Sequence, residues 1–259
     1  MASLGKGMRV LEELAAAGPQ AVLPELVRKT GFDRATVHRI LRSFMVTGYV
    51  ERTGRGQYVA AHKAYVLGTR LASSNNLVQL ARPRVVALRE AIGETSNLAV
   101  LDNTEIVYLV RSTAGRILAL NIDIGTRLPA YCASLGRAIL AYLPDDEAVQ
   151  ILKRSDLHSF TQYTKTRIPD IVEALRQVRA RGYALSNQEF ELGLSSLACP
   201  VFGHDGLPVA AINIAVLEAR MSAREIVRRF KNPLQATCDA ISRDLGSPRT
   251  LTLARRNDG

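Results

Sequence analysis

At 259 residues and 47% apolar composition, the chain is long enough for two modest domains with separate cores and is not a candidate for wholesale disorder. No apolar run approaches the roughly 20 residues of a membrane span, and the start MASLGKGMRV lacks a signal-peptide apolar region, so a cytoplasmic protein is expected. The formal net charge of +10 is unevenly spread, +8 over residues 1–90 and +2 over residues 91–259, which favours a nucleic-acid partner for the first part and a near-neutral role for the second.

Leu4 to Ala17 carries Met8, Val10, Leu11 and Leu14 at helical spacing and stops at Gly18-Pro19. This helix would pack behind the next two as a third core member, with Lys6 and Arg9 either touching phosphates or simply solvated. LPELVRKT places Leu23, Leu26 and Val27 on one face of a short helix. Gly31-Phe32-Asp33 breaks the chain, with Asp33 able to cap the next helix. From Arg34 to Val46 the stripe Val37, Ile40, Leu41 and Phe44 turns inward, leaving Arg34, Thr36, His38, Arg39 and Arg42 off the core. After Gly48, YVERTGRGQYV reads as two short strands around a Gly-Arg-Gly turn, presenting Arg52, Arg55 and Gln57.

Helix, turn, basic helix and basic hairpin is the outline of a winged helix-turn-helix. The second helix would enter a major groove while the hairpin lies along the backbone. Arg pairs bidentately with guanine, Thr and His reach base edges, and Arg and Lys neutralise phosphates. The plainer alternative is a helix pair with a solvated basic face. It requires the basic helix and the basic hairpin both to be coincidence.

His62 to Ser74 continues as a helix and ends in Ser-Ser-Asn-Asn, a linker signal near residue 75. Leu77 to Ile92 is a further helix, apolar at Leu80, Val85, Leu88 and Ile92, with Pro83 in its first turns. From Gly93 the period shortens. Asn97 to Leu101 and Glu105 to Val110 read as a hairpin, and Ile117 to Ile122 as a third strand. Helices come next at Leu135 to Leu143, Glu147 to Leu152 and Ile168 to Arg181, the last with Ile171, Leu175 and Val178 inward. Tyr183 to Ser186, Ser196 to Phe202 and Pro208 to Val216 are strands, the last two joined at His204-Asp205-Gly206. Ser222 caps a closing helix to Leu245, and SPRTLTLARRNDG reads as a frayed tail. The class is α+β, an antiparallel sheet with helices packed on it.

Four stretches carry a family resemblance in this order: GFDRATVHRILRSFMVTGYVERTGRGQYV, LPAYCASLGRAILAYL, RGYALSNQEFELGLSSLACPVF and GLPVAAINIAV. Together they resemble the isocitrate-lyase-regulator (IclR) family of bacterial transcription factors over some 210 residues. The E-x-G-L-x-S-x-A-x-P-V form is most like the branch that regulates protocatechuate, p-hydroxybenzoate and related aromatic catabolism. The resemblance implies a winged helix-turn-helix over residues 1–62, a linker helix over 63–76, a GAF-like effector-binding domain over 77–248 and a tail over 249–259. It also implies a homodimer or dimer of dimers on a pseudo-palindromic operator of double-stranded DNA, with a small organic acid as effector, aromatic or short-chain. No cofactor is implied.

The second part makes sense as a small-acid pocket on its residues. In Ala133-Ser134-Leu135-Gly136-Arg137, small residues open a helix whose free N–H groups suit a carboxylate; alternatively Ser134 is only a cap and Gly136 only allows close packing. Ser196 and Asn213 lie among apolar strand neighbours and need a partner, from a ligand or another strand. Ser186 and Glu189 match positions near the family's pocket, although Glu189 equally suits a surface strand. The aromatic-acid branch usually has Arg where this chain has Ser195, which removes a bidentate carboxylate partner and puts the effector class in doubt.

Two other classes compete. Cys199, His204 and Glu191 offer nucleophile, base and orienter, but Cys199 precedes Pro200 in an apolar β run where Cys is usually a small hydrophobe. A non-specific structural DNA-binding protein would need no pocket. Cys132, Cys199 and Cys238 form no C-x-x-C pair, and His38, His62, His158 and His204 no i, i+4 pair, so no metal site is expected.

Overall fold

Residues 3–74, 76–114, 122–249 and 251 are described by the structure, a computed structural model. They form two compact units, Met1–Asn75 and Asn76–Gly259. In the first, α1 (Ser3–Ala17), α2 (Leu23–Thr30) and α3 (Arg34–Thr47) precede a hairpin of β1 (Val50–Arg52) and β2 (Tyr58–Ala60), then α4 (His62–Ser74). The turn between α2 and α3 arises from its residues. Gly31 takes a left-handed φ of 71° that a side chain would resist, and Asp33 accepts the Thr36 N–H at 2.8 Å as the N-cap of α3. Val10, Leu14, Leu26, Val37, Leu41, Val50 and Tyr58 form the core. Ile40 and Phe44, expected inside, are only partly buried at its margin.

The second unit holds α5 (Asn76–Ile92), β3 (Thr95–Asp102), β4 (Glu105–Ser112), β5 (Arg127–Pro129), α6 (Ser134–Leu140), α7 (Asp145–Arg154), α8 (Ile168–Arg181), β6 (Ala184–Asn187), β7 (Leu194–Phe202), β8 (Pro208–Leu217) and α9 (Ala223–Asp244). One sheet runs β5-β4-β3-β8-β7-β6, antiparallel throughout. Its strands are sorted by side-chain size. Leu98, Leu197, Cys199, Ile212 and Ile214 face α5 and α9, while Ala99, Ala198 and Ala211 face α6. Alternation puts large residues under two long helices and small ones under a short helix that must come close. Gly136 marks that closeness, since a Cβ there would overlap the backbone of Ala130.

Several expectations are corrected. The face α5 buries is Val78, Ala81, Val85 and Leu88; Leu80 and Ile92 are half-buried. The strand expected at Ile117 to Ile122 lies outside the described residues apart from Ile122, which is buried beside the sheet. The edge strand seen is β5, three residues ending in Pro129, too short and proline-bearing to signal itself in the sequence. The tail is not wholly frayed. Leu251 is buried and its N–H donates to Asp239 Oδ1 at 2.6 Å, and the Arg249 guanidinium lies 5.5 Å from the Phe202 ring.

Candidate DNA-reading face and effector cavity

In the first unit, Arg34, His38, Arg39 and Arg42 are all exposed along α3, on the side away from buried Val37 and Leu41. Thr36 belongs to the cap: its hydroxyl donates to Asp33 Oδ2 at 2.7 Å. The network holds the Asp33 carboxyl below its ordinary pKa, the Thr36 side-chain bond being the largest cause. In the wing, Arg52 packs 5.7 Å from the Tyr58 ring, Arg55 is exposed at the tip, and half-buried Gln57 accepts the Thr53 N–H through its carbonyl. On α1, Arg9 pairs with Glu13 at 2.9 Å, and Lys6 lies 5.6 Å from the Phe32 ring. Among the described residues, Arg34, Arg39 and Arg42 on α3 and Arg52 and Arg55 in the wing form no ion pair, the charge pattern that neutralises phosphates.

The second unit contains a small cavity of about 40 Å3, partly open to solvent, between the α6 face of the sheet and the β6–β7 loop. Of the expected effector residues, Ser134, Leu135, Ser186, Ser196 and Asn213 line it. Cross-strand register brings them together: Ser186 sits opposite Ser196, Ser196 opposite Ala215, and Asn213 opposite Asn97. Ser134 is not a cap. Ala133 holds that position in α6, which frees the Ser134 hydroxyl to bond Ser196 Oγ at 2.7 Å. Ser186 donates to the Cys132 carbonyl at 2.9 Å.

Gly136, Glu189 and Ser195 are not among the cavity's lining. Gly136 sits against Ala130. Glu189 is buried in an ion pair with Arg137, one of whose contacts is 2.6 Å, and Lys165 Nζ joins at 3.3 Å. Arg137 is only 2% exposed and is tied further to the Tyr131 carbonyl at 2.7 Å. Ser195 starts from the opposite face of β7, where its Oγ lies 2.8 Å from Asn187 Oδ1 and 2.9 Å from Glu218 Oε2. A guanidinium missing at 195 is therefore not missing from this cavity.

The cavity has a guanidinium of its own, at a position the sequence did not single out. Arg111, on β4, lines it beside Asn97. The cause is a bulge: β3 residues Leu98 and Ala99 pair with Val110 and Tyr108, so Leu109 is extra. Strict alternation from inward-facing Tyr108 would turn Val110 into the cavity and Arg111 away. The inserted residue reverses the phase beyond it, as bulges do. Arg111 Nη1 then donates to Asn97 Oδ1 at 3.4 Å, and Asn97 Nδ2 donates to Asn213 Oδ1 at 2.9 Å. This polar row crosses three adjacent strands. Tyr108 borders it, its phenol pushed up to about 12 by burial, so its hydroxyl stays protonated at neutral pH.

The catalytic alternative does not assemble. Cys199 is buried, and desolvation raises its thiol far above the range for a reactive thiolate. Glu191 and His204 lie beyond opposite ends of nine-residue β7, about 30 Å of extended chain. Cys132 and Cys238 are buried packing residues, with Cys132 pushed up to about 12 by burial. Among the described residues no group of three or more His, Cys, Asp or Glu is placed to hold a metal ion, and no helix is long and apolar enough to cross a membrane.

Comparison with known proteins agrees with this geometry. The family model for the bacterial transcriptional regulator IclR C-terminal domain matches residues 69–243, and that for the IclR helix-turn-helix domain matches residues 3–54. The Pca regulon regulatory protein of Pseudomonas putida is 32% identical over 246 residues, covering 95% of this chain and 83% of its own. A protein from Rhodococcus sp. RHA1, described as a transcriptional regulator, has a solved structure with 35% identity and a TM-score of 0.81, covering 94% of this chain and 97% of its own. The fold is also that of an IclR homolog from Microbacterium hydrocarbonoxydans solved with 4-hydroxybenzoate, at 22% identity, a TM-score of 0.81 and coverage of 94% and 99%. With matched models for both of its parts, the chain belongs to the IclR family of bacterial transcriptional regulators, a DNA-binding helix-turn-helix joined to an effector-binding domain.

Proposed function

We propose that α3 and the β1–β2 wing read an operator, and that the cavity of the second unit takes a small organic acid whose binding changes operator binding or promoter activity. The observation that carries the effector reading is the row Arg111–Asn97–Asn213, a cation and two amides presented to one cavity. A guanidinium there is a bidentate partner for a carboxylate. Arg34, His38, Arg39 and Arg42 would contact bases and nearby phosphates, with Arg52, Arg55 and Gln57 along the backbone. An aromatic acid is favoured: the Pseudomonas putida relative is named for a Pca regulon, and the Microbacterium neighbour was solved with 4-hydroxybenzoate. Short-chain acids form the second series.

The working form is a homodimer or a dimer of dimers in the cytoplasm, where the operator is. Leu4 and Met8 on α1, with Tyr65, Leu67 and Leu71 on α4, are exposed apolar residues that support association. The division of labour is residues 1–62 for DNA, 63–76 as linker and 77–248 for effector, with the remaining tail outside that division. A thermal-shift screen of the full chain with aromatic and short-chain acids tests the effector reading, because a ligand confined to the native state raises the melting temperature. At least one acid should raise it by several degrees, and Ser196→Val should reduce that rise while leaving DNA binding intact. No shift with any acid at millimolar concentration contradicts the reading.

A further inference from the structure

Glu191 brings a carboxylate to a cavity otherwise suited to anions. The half-buried residue lines the cavity from the β6–β7 loop, and its Oε2 is buried without a hydrogen-bond partner among the described residues. A buried acceptor in that state bears the full cost of desolvation, and more so when it is charged. Relaxation of the loop would relieve that cost, but the loop is pinned. Thr161 and Thr164 donate to the carbonyls of Gln188 and Glu189 at 2.7 and 2.6 Å. The Glu189 side chain is held by buried Arg137. Phe190 packs at a tilt against Phe160 with ring centroids 4.7 Å apart, and Gly193 N–H donates to Gln188 Oε1 at 2.8 Å. The backbone that carries Glu191 is therefore tied down on both sides, at Gln188 to Phe190 and at Gly193, and places Glu191 at the cavity's edge.

The other end of the cavity has opposite character. Arg111 lies on β4 and Leu194 begins β7, with β3 and β8 between them, so three strand spacings of about 4.8 Å separate the two sides. One side offers donors from Arg111; the other offers an acceptor with nothing to accept. A ligand with only a carboxylate satisfies one side. A ligand with a carboxylate at one end and a donor at the other satisfies both.

We propose that Glu191 is a specificity-determining residue, which makes the cavity select acids that carry a hydrogen-bond donor, hydroxyl or amine, remote from their carboxylate. This rests on the reading of the cavity as an acid-binding pocket. A site built to pair a donor rejects the analogue that lacks one far more strongly than an apolar pocket rejects a change of size, because its polar group is then left unpaired.

Calorimetric titration of the full chain with benzoate, 4-hydroxybenzoate and 4-aminobenzoate, and with butyrate and 4-hydroxybutyrate, tests the proposal. In at least one series the wild type should bind the donor-bearing acid tenfold or more tighter than the bare acid, the two substituted benzoates showing which donor is preferred. Glu191→Leu should reduce that ratio below threefold and should raise the ligand-free melting temperature. Glu191→Gln, which keeps the shape and one acceptor, should retain an intermediate ratio, and it decides the matter should the leucine variant not fold. Equal binding of bare and donor-bearing acids by the wild type, or an undiminished ratio in both variants, overturns the role of Glu191 and leaves the acid pocket standing. Binding of none of the five acids overturns both.

Discussion

Glu189 was an effector candidate from the sequence and Arg111 was not, yet it is Arg111 that lines the cavity. Glu189, in a stretch that resembles a ligand-binding motif, is consumed by a buried pairing with Arg137 that fixes the β6–β7 loop. Removing one partner of a buried pair strands the other, so Glu189→Ala should cost about 3–5 kcal/mol of stability in urea unfolding, with operator contacts untouched. A loss under 1 kcal/mol would show that the pair is not what holds the loop. In the proposed effector reading, Arg111 supplies the guanidinium that the absence of Arg at 195 had put in doubt. Arg111→Gln should weaken binding of any acid effector at least tenfold by calorimetry, while the ligand-free melting temperature moves by about 2 °C or less. Side-chain type was readable at both positions. Direction was not, because Arg111 points inward only through a bulge and Glu189 turns away only because Arg137 waits behind it.

At the scale of elements, the helix-turn-helix was legible because its signals are local. Asp33 caps α3 three residues before Thr36, Gly31 and Gly48 end α2 and α3 at left-handed φ, and the buried stripe has helical period. The long strands and α8 were legible for the same reason. Short β5, the early end of α6 at Leu140, and the packing of Arg249 and Leu251 are settled by tertiary contacts that no local pattern encodes. The reading role of α3 carries its own expectation. Replacing Arg39 or Arg42 with Ala should weaken DNA binding in fluorescence anisotropy. A phosphate contact would lower the salt slope by about one per residue across all sequences, whereas a base contact would cost about 1–3 kcal/mol of discrimination at one operator position. Unchanged affinity and slope in both variants would remove α3 as the reading helix.

For the whole molecule, the split of charge between the two parts of the chain anticipated the split of function. The first unit, with a net charge of +6 over 75 residues, exposes α3 and a wing; the second, with +4 over 184 residues, holds a cavity lined by Arg111, Asn97, Asn213 and Glu191. An effector moves such a protein between states only to the extent that it binds them unequally, and useful couplings amount to roughly five- to 150-fold in affinity. The most direct test is operator affinity with and without effector. DNA selected by the full chain from a random library should be titrated at physiological salt, with and without the acid that most raises the melting temperature, at saturation. The acid should change the apparent Kd, or transcription from a promoter bearing that DNA, at least fivefold, with the response lost in Arg111→Gln. An acid that demonstrably fills the cavity yet leaves both operator affinity and transcription unchanged would contradict the effector reading.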